Sequence, residues 1–208
     1  MTDDIAAQFT RSDGSYLFAR WGRPIAPIVF GVDDATLSVV KGAIEAMSVL
    51  ANHPLAETDP ELGANFLMFF FREWDELLET PDLDRLVPEL EELVVKLKSV
   101  GANQYRLFRF DEANAIKAVF VFVRMDEALS DVPAEDLALA QAAQSMVLWS
   151  DMAFKDRGPL AQVDGRVILH PDVAAVIRAA YDPVMPASAN DPSHALRLSA
   201  RIQAERQV

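Results

Sequence analysis

The chain has 208 residues, of which 51% are hydrophobic and 25% charged, which is the composition of a folded globular protein. Its net charge of −13 repels phosphate backbones and anionic lipid surfaces, so nucleic-acid and lipid binding are disfavoured. Cysteine is absent, which excludes disulfides, thiolate metal sites and a cysteine nucleophile.

No segment has the length and apolar character of a membrane span, since the most apolar run, residues 65–71, is far shorter than the roughly 20 residues required. The N-terminus lacks the basic start and apolar stretch of a signal peptide. We therefore expect a cytoplasmic protein, or a periplasmic or secreted one if a signal peptide has been removed. Residues 1–14 are predicted to be a polar leader, and residues 15–208 a single α+β domain.

Several segments are rich in β-branched and aromatic residues and are predicted to be strands. Pro24 and Pro27 cannot donate to a ladder, so the second segment is expected to be short or to lie at a sheet edge. The third is apolar on both alternating faces, which indicates a central strand. The last two flank a short polar turn and predict a hairpin. The five segments are residues 15–21, 24–31, 64–74, 104–110 and 115–125.

Helical spacing of apolar residues alternates with these strands. Asp33 or Asp34 is the expected cap of the first long helix, and Pro88 predicts a helix start near Asp84 or a break. A later helix is expected to end before Pro183. The main helices are predicted at residues 33–52, 82–100, 134–150 and 193–207. This order predicts an α+β fold with a mixed or antiparallel sheet of about five strands and helices packed on it.

The chain lacks the glycine-rich phosphate-binding motifs and the Gly-x-Ser-x-Gly motif of serine hydrolases. Its three histidines, His53, His170 and His194, lie beside a proline or shortly after one, and no two share helical spacing. We expect them to be exposed or to stabilise turns, and we predict no metal site and no cofactor.

Three carboxylates lie outside the acidic runs that are typical of solvated helix faces. Glu73 and Asp75 follow the most apolar strand, and Asp151 follows the helix at 134–150. Such groups perform acid–base chemistry when their environments separate their pKa values. Capping or surface placement is the simpler interpretation.

The helix at 134–150 carries Gln141 and Gln144 among alanines, and a buried amide without a partner costs about 1–3 kcal/mol. Gln144, Met146 and Leu148 are followed by Asp151, and a later helix ends in Tyr181, Asp182 and Pro183. Together with the early stretch ARWGRPIAPIVFG, these residues resemble an uncharacterised bacterial family of unknown function, many of whose members are described as lipoproteins.

That family is similar in layout to zincin metallopeptidases, and its Glu-Glu-x-x-Gln helix stands where those enzymes carry His-Glu-x-x-His. The resemblance spans about residues 15–190 and implies a zincin-like fold. It makes Gln141, Gln144, Asp151, Tyr181 and Asp182 candidate binding residues. In this chain Ala140 and Gln141 replace the two glutamates, and neither alanine nor an amide supplies a zinc ligand or a general base. The resemblance therefore implies a degenerate, catalytically silent form.

The sequence favours a non-catalytic binding or protein-interaction domain, which could hold a peptide along an edge strand by β-augmentation. The alternative is a hydrolase whose carboxylate site is not visible from spacing; a buried Glu73 or Asp151 with a raised pKa would favour it. A third interpretation is a structural subunit that forms a homo-oligomer through its own sheet or helices.

Overall fold

A computed structural model describes residues 2–205 of the protein. Helices and strands alternate along the chain, and one short 3₁₀ helix, Trp74–Leu77, follows the third strand. In chain order the other elements are α1 (Thr2–Ala7), β1 (Phe18–Ala19), β2 (Pro27–Phe30), α2 (Asp34–Ala51), β3 (Phe66–Phe71), α3 (Leu83–Leu86), α4 (Leu90–Ser99), β4 (Gln104–Phe110), β5 (Ile116–Arg124), α5 (Glu127–Ser130), α6 (Ala134–Met146), β6 (Leu160–Val163), β7 (Arg166–Leu169), α7 (Pro171–Ala180), β8 (Ser188–Ala189) and α8 (Ser193–Glu205).

The main sheet has the strand order β2-β3-β5-β4, in which β2, β3 and β5 are parallel and β4 is antiparallel to β5. The predicted α+β class with a mixed sheet is confirmed. The sheet has four strands rather than about five, because the segment at 15–21 forms only the short β1. That strand pairs with β8 instead of joining the main sheet, and β6 pairs with β7.

The predicted central strand and hairpin are both confirmed. Strand β3 lies between β2 and β5, and β4 pairs with β5 from Gln104↔Val123 to Phe110↔Ile116. A register shift between Arg109 and Phe110 marks a β-bulge near the turn.

Strand β5 is buried on both faces. Val119, Val121 and Val123 pack in one hydrophobic cluster with α2 and α6, while Phe120 and Phe122 pack in another with α4 and the 3₁₀ helix. The alternation of side chains along a strand produces this division. The sheet is therefore a layer between two helical layers.

The ends of the helices lie mostly where the capping and proline residues predicted them. The Asp33 carboxylate accepts from Thr36 N at 2.8 Å and caps α2. The predicted break at Pro88 separates α3 from α4. Helix α6 ends at Met146 rather than 150, because Val147 forms an antiparallel bridge with Arg20.

The prediction of a polar leader over residues 1–14 does not hold for the part that the structure describes. Residues 2–7 form α1, which packs on α8, and Ile5 and Phe9 are buried. The Phe9 ring stacks on Trp149 with 5.5 Å between ring centroids. Apolar burial, rather than sequence polarity, determines the conformation of this segment.

None of the helices within residues 2–205 combines the length and apolar character that a bilayer crossing requires.

His194 is a core residue, so the expectation that the histidines are exposed or only stabilise turns is wrong for it. Its Nδ1 lies 2.8 Å from the Tyr16 hydroxyl, and its Nε2 is buried without a hydrogen-bond partner within the described residues. Burial lowers the pKa of His194 to about 4. The folded protein therefore holds this imidazole neutral.

We expect the free energy of unfolding to fall as the pH drops from about 6.5 to about 4, because the unfolded chain then protonates His194 and the folded chain does not. Between pH 7 and 5 this residue should account for a loss of about 2 kcal/mol. Urea unfolding of the wild type and His194→Gln across this range measures the difference. If the free energy of unfolding fell equally with pH in the two proteins, the lowered pKa of His194 would be contradicted.

Candidate functional site

The outer edge of β4 carries backbone groups that the sheet does not use. Arg124 N donates to Asn103 O at 2.8 Å, so these two residues form a hydrogen-bonded pair at the start of the ladder. Hydrogen-bonded and non-hydrogen-bonded pairs alternate along two antiparallel strands, which makes Gln104, Arg106 and Phe108 members of non-hydrogen-bonded pairs. The N–H and C=O groups of Gln104, Arg106 and Phe108 therefore point away from β5. Within residues 2–205 these groups have no backbone partner. Such a row is a template for pairing with another strand.

The opposite edge of the sheet is different. Strand β2 has only four residues and begins with Pro27, which has no N–H to donate. Strand β4 has seven residues and no proline. Of the two edges, β4 is therefore the one suited to accept a further strand.

Helix α6 contacts β4 from one face through a short polar network. Gln141 is fully buried, and its Oε1 accepts from Arg106 Nη2 at 2.5 Å. Its Nε2 donates to Gln104 Oε1 at 2.6 Å. The buried amide thus has partners on both of its polar atoms, and both partners come from the edge strand.

Arg106 carries a charge in surroundings that offer it little compensation. Its Nε is buried without a hydrogen-bond partner, and it forms no ion pair within the described part of the chain. Burial lowers the pKa of Arg106 to about 10, so the guanidinium remains charged at neutral pH. A partly buried charge that is not neutralised is costly, which makes the contact with Gln141 important.

The network continues toward the start of β4. Asn103 Nδ2 donates to Asp126 Oδ2 at 3.0 Å, and Arg124 forms an ion pair with the same carboxylate at 3.3 Å. The Leu129 amide, hydrogen-bonded to Asp126, holds the pKa of that carboxyl below its usual range. Asp126 therefore pairs with Arg124 and caps α5, and it does not neutralise Arg106.

Of the five candidate residues, only Gln141 lies in this network. Gln144 donates to Ala140 O within its own helix at 3.2 Å. Tyr181 donates to Met146 O at 2.6 Å, satisfying a carbonyl at the end of α6, and burial raises the pKa of its hydroxyl. No hydrogen bond or ion pair within residues 2–205 joins any two of the five.

The two candidate aspartates stabilise loops. Asp151 accepts from Ser12 N at 3.0 Å, and Asp182 accepts from Val184 N at 3.0 Å. Asp182 also lies 3.4 Å from Arg201 Nη2. These contacts hold the N-terminal segment and α8 in place.

The carboxylates considered for hydrolysis lack the environment that acid–base catalysis requires. Hydrogen bonds from Ser12 lower the pKa of Asp151, the opposite of the rise that a general acid needs. Asp75 forms an ion pair with Lys98 at 2.8 Å, and Glu73 is exposed. Within the described residues no group of three or more His, Asp or Glu side chains could hold a metal ion.

Sequence reasoning did not identify Gln104 and Arg106 as site residues. Period-2 alternation does place them with Phe108 on one face of the hairpin, opposite Tyr105 and Leu107. It does not reveal that β4 is the edge strand, or that α6 covers this face.

No protein-family model, no curated protein and no solved structure matches this chain. The resemblance to the bacterial family and its zincin-like layout therefore stays a prediction.

We expect Gln141→Ala to lower the free energy of unfolding by about 2–4 kcal/mol, because Arg106 would lose its acceptor in a buried position. Gln141→Glu should cost less, since the introduced carboxylate accepts the same hydrogen bond and opposes the charge. Urea unfolding at pH 7 compares the two, with Gln144→Ala as the control. An equal loss for the Ala and Glu variants would contradict the role given to Arg106.

Proposed function

We propose that the protein is a non-catalytic binding domain that holds an extended segment of a protein partner along the outer edge of β4. The observation that carries this proposal is the row of outward N–H and C=O groups on Gln104, Arg106 and Phe108. In β-augmentation such groups supply main-chain hydrogen bonds to a peptide, and neighbouring side chains provide selectivity.

The dimensions of β4 suit this function. Seven residues of extended chain span about 23 Å, enough to pair with a peptide of similar length. Strand β5 supports β4, because it pairs with β4 along its whole length and is itself buried. A rigid edge lowers the entropy lost when a peptide binds.

The side chains of β4 are only partly buried up to Arg109. Arg106 and Phe108 lie on the face covered by α6, and Tyr105 and Leu107 lie on the other face. An added strand would bring its own side chains beside both sets at cross-strand distance. The edge therefore offers contacts on both faces of the sheet.

The chemistry of α6 supports binding rather than hydrolysis. The positions at which the resembled layout would carry catalytic residues hold Ala140, Gln141 and Gln144. Gln141 is engaged by Arg106 and Gln104, so its amide is part of the support beneath β4. We propose a degenerate metallopeptidase-like domain that keeps a peptide-binding edge without the catalytic groups.

The proposal is tested by selecting peptides from a random display library on the immobilised protein and measuring their affinity for two variants. Gln104→Ala and Gln104→Pro both remove the contact with Gln141, but only proline also removes the outward N–H. We expect the proline variant to bind selected peptides about tenfold more weakly than the alanine variant, the loss of one hydrogen bond.

Circular dichroism checks that both variants retain the fold. Equal affinities for the proline and alanine variants would contradict the proposal, as would a selection that enriches no peptide over a counter-selection on Gln104→Pro. Pairing between two copies through β4 would appear instead as a dimer that Gln104→Pro dissociates.

A further inference from the structure

We infer that the segment bound at β4 is acidic and places a carboxylate beside Arg106. This inference rests on the proposed function and adds the chemical class of the partner. The observation behind it is the Arg106 guanidinium, which has a buried Nε without a partner and no ion pair within residues 2–205.

The position of Arg106 on the strand makes a bound peptide the natural source of that carboxylate. Its backbone groups point outward, so a residue of an added strand would lie directly opposite it. Directly opposed residues have Cβ atoms about 4.5–5.5 Å apart on the same face of the sheet. An aspartate or glutamate at that position would lie beside the guanidinium, and a hydrogen bond between two charged groups is roughly twice as strong as one between neutral groups.

The remaining charges of β4 agree with an acidic ligand. The strand contains two arginines and no acidic residue. Arg109 lies on the opposite face, and its Nη2 donates to the Leu86 carbonyl at 3.3 Å without forming an ion pair among the described residues. Since Arg106 and Arg109 are three residues apart, a ligand with two acidic residues at the same spacing would place one beside each.

The net charge of −13 opposes an acidic peptide at long range, but salt screens charges over about 8 Å under physiological conditions. At contact distance the interaction is governed by the nearest groups. A partner with this acidic pattern would thus be selected at the edge itself.

The test uses two capped peptides of β-forming sequence, TVEVTET and TVQVTQT, titrated into the ¹⁵N-labelled full chain. The first has acidic residues three apart, on opposite faces of an extended strand, and the second replaces both by amides. We expect the acidic peptide to bind about tenfold more tightly and to shift the amide signals of Gln104, Arg106 and Phe108. In Arg106→Met that preference should fall to about threefold, because Arg109 still faces the second acidic residue.

Lys41→Met is the matched control, because it also removes one positive charge but lies on α2, is exposed and forms no ion pair within the described residues. It should keep the full preference. The comparison of the two peptides on the unaltered protein needs no variant, so it holds even if Arg106→Met does not fold.

Equal affinities of the two peptides, with shifts at the β4 amides, would overturn the inference and leave the proposed function standing. A preference that Lys41→Met reduces as much as Arg106→Met would also overturn it, since net charge would then be the cause. No shift at β4 with either peptide at millimolar concentration would count against the proposed function itself.

Discussion

Strand β5 is buried on both faces, and buried backbone groups must be paired because an unpaired N–H or C=O in the interior is costly. The strand meets this constraint with β3 on one side and β4 on the other. The hairpin to β4 completes the sheet on that side, so the unpaired row of groups lies on β4. The edge on which the proposed function depends thus follows from the burial of its neighbour.

The contact between Arg106 and Gln141 places a positive charge on the inward face of the edge strand β4. Inward-pointing charges on edge strands are a known protection against non-specific pairing between sheets. Here the same charge disfavours apolar strands and favours a carboxylate, so protection and selectivity come from one residue. Helix α6 supplies the amide that keeps the guanidinium in place while no ligand is bound.

The parts of the fold that local chemistry determines could be predicted from the sequence. Period-2 alternation indicated the hairpin, and Asp33 and Pro88 marked a helix start and a helix break. The candidate site could be predicted only in part, because its contacts join distant segments. Arg106 meets Gln141 across 35 residues, and Tyr16 meets His194 across 178. Sequence periodicity contains no information about such pairs, and for the same reason the docking of Phe9 on Trp149 was missed.

The most direct measurement of the central claim is amide hydrogen exchange along β4 in the free protein, followed by NMR. The account predicts alternation: the amides of Gln104, Arg106 and Phe108 exchange at least about tenfold faster than those of Tyr105, Leu107 and Arg109, which pair with β5. Equally slow exchange at all six amides would contradict it, because the outer edge would then already be covered in solution.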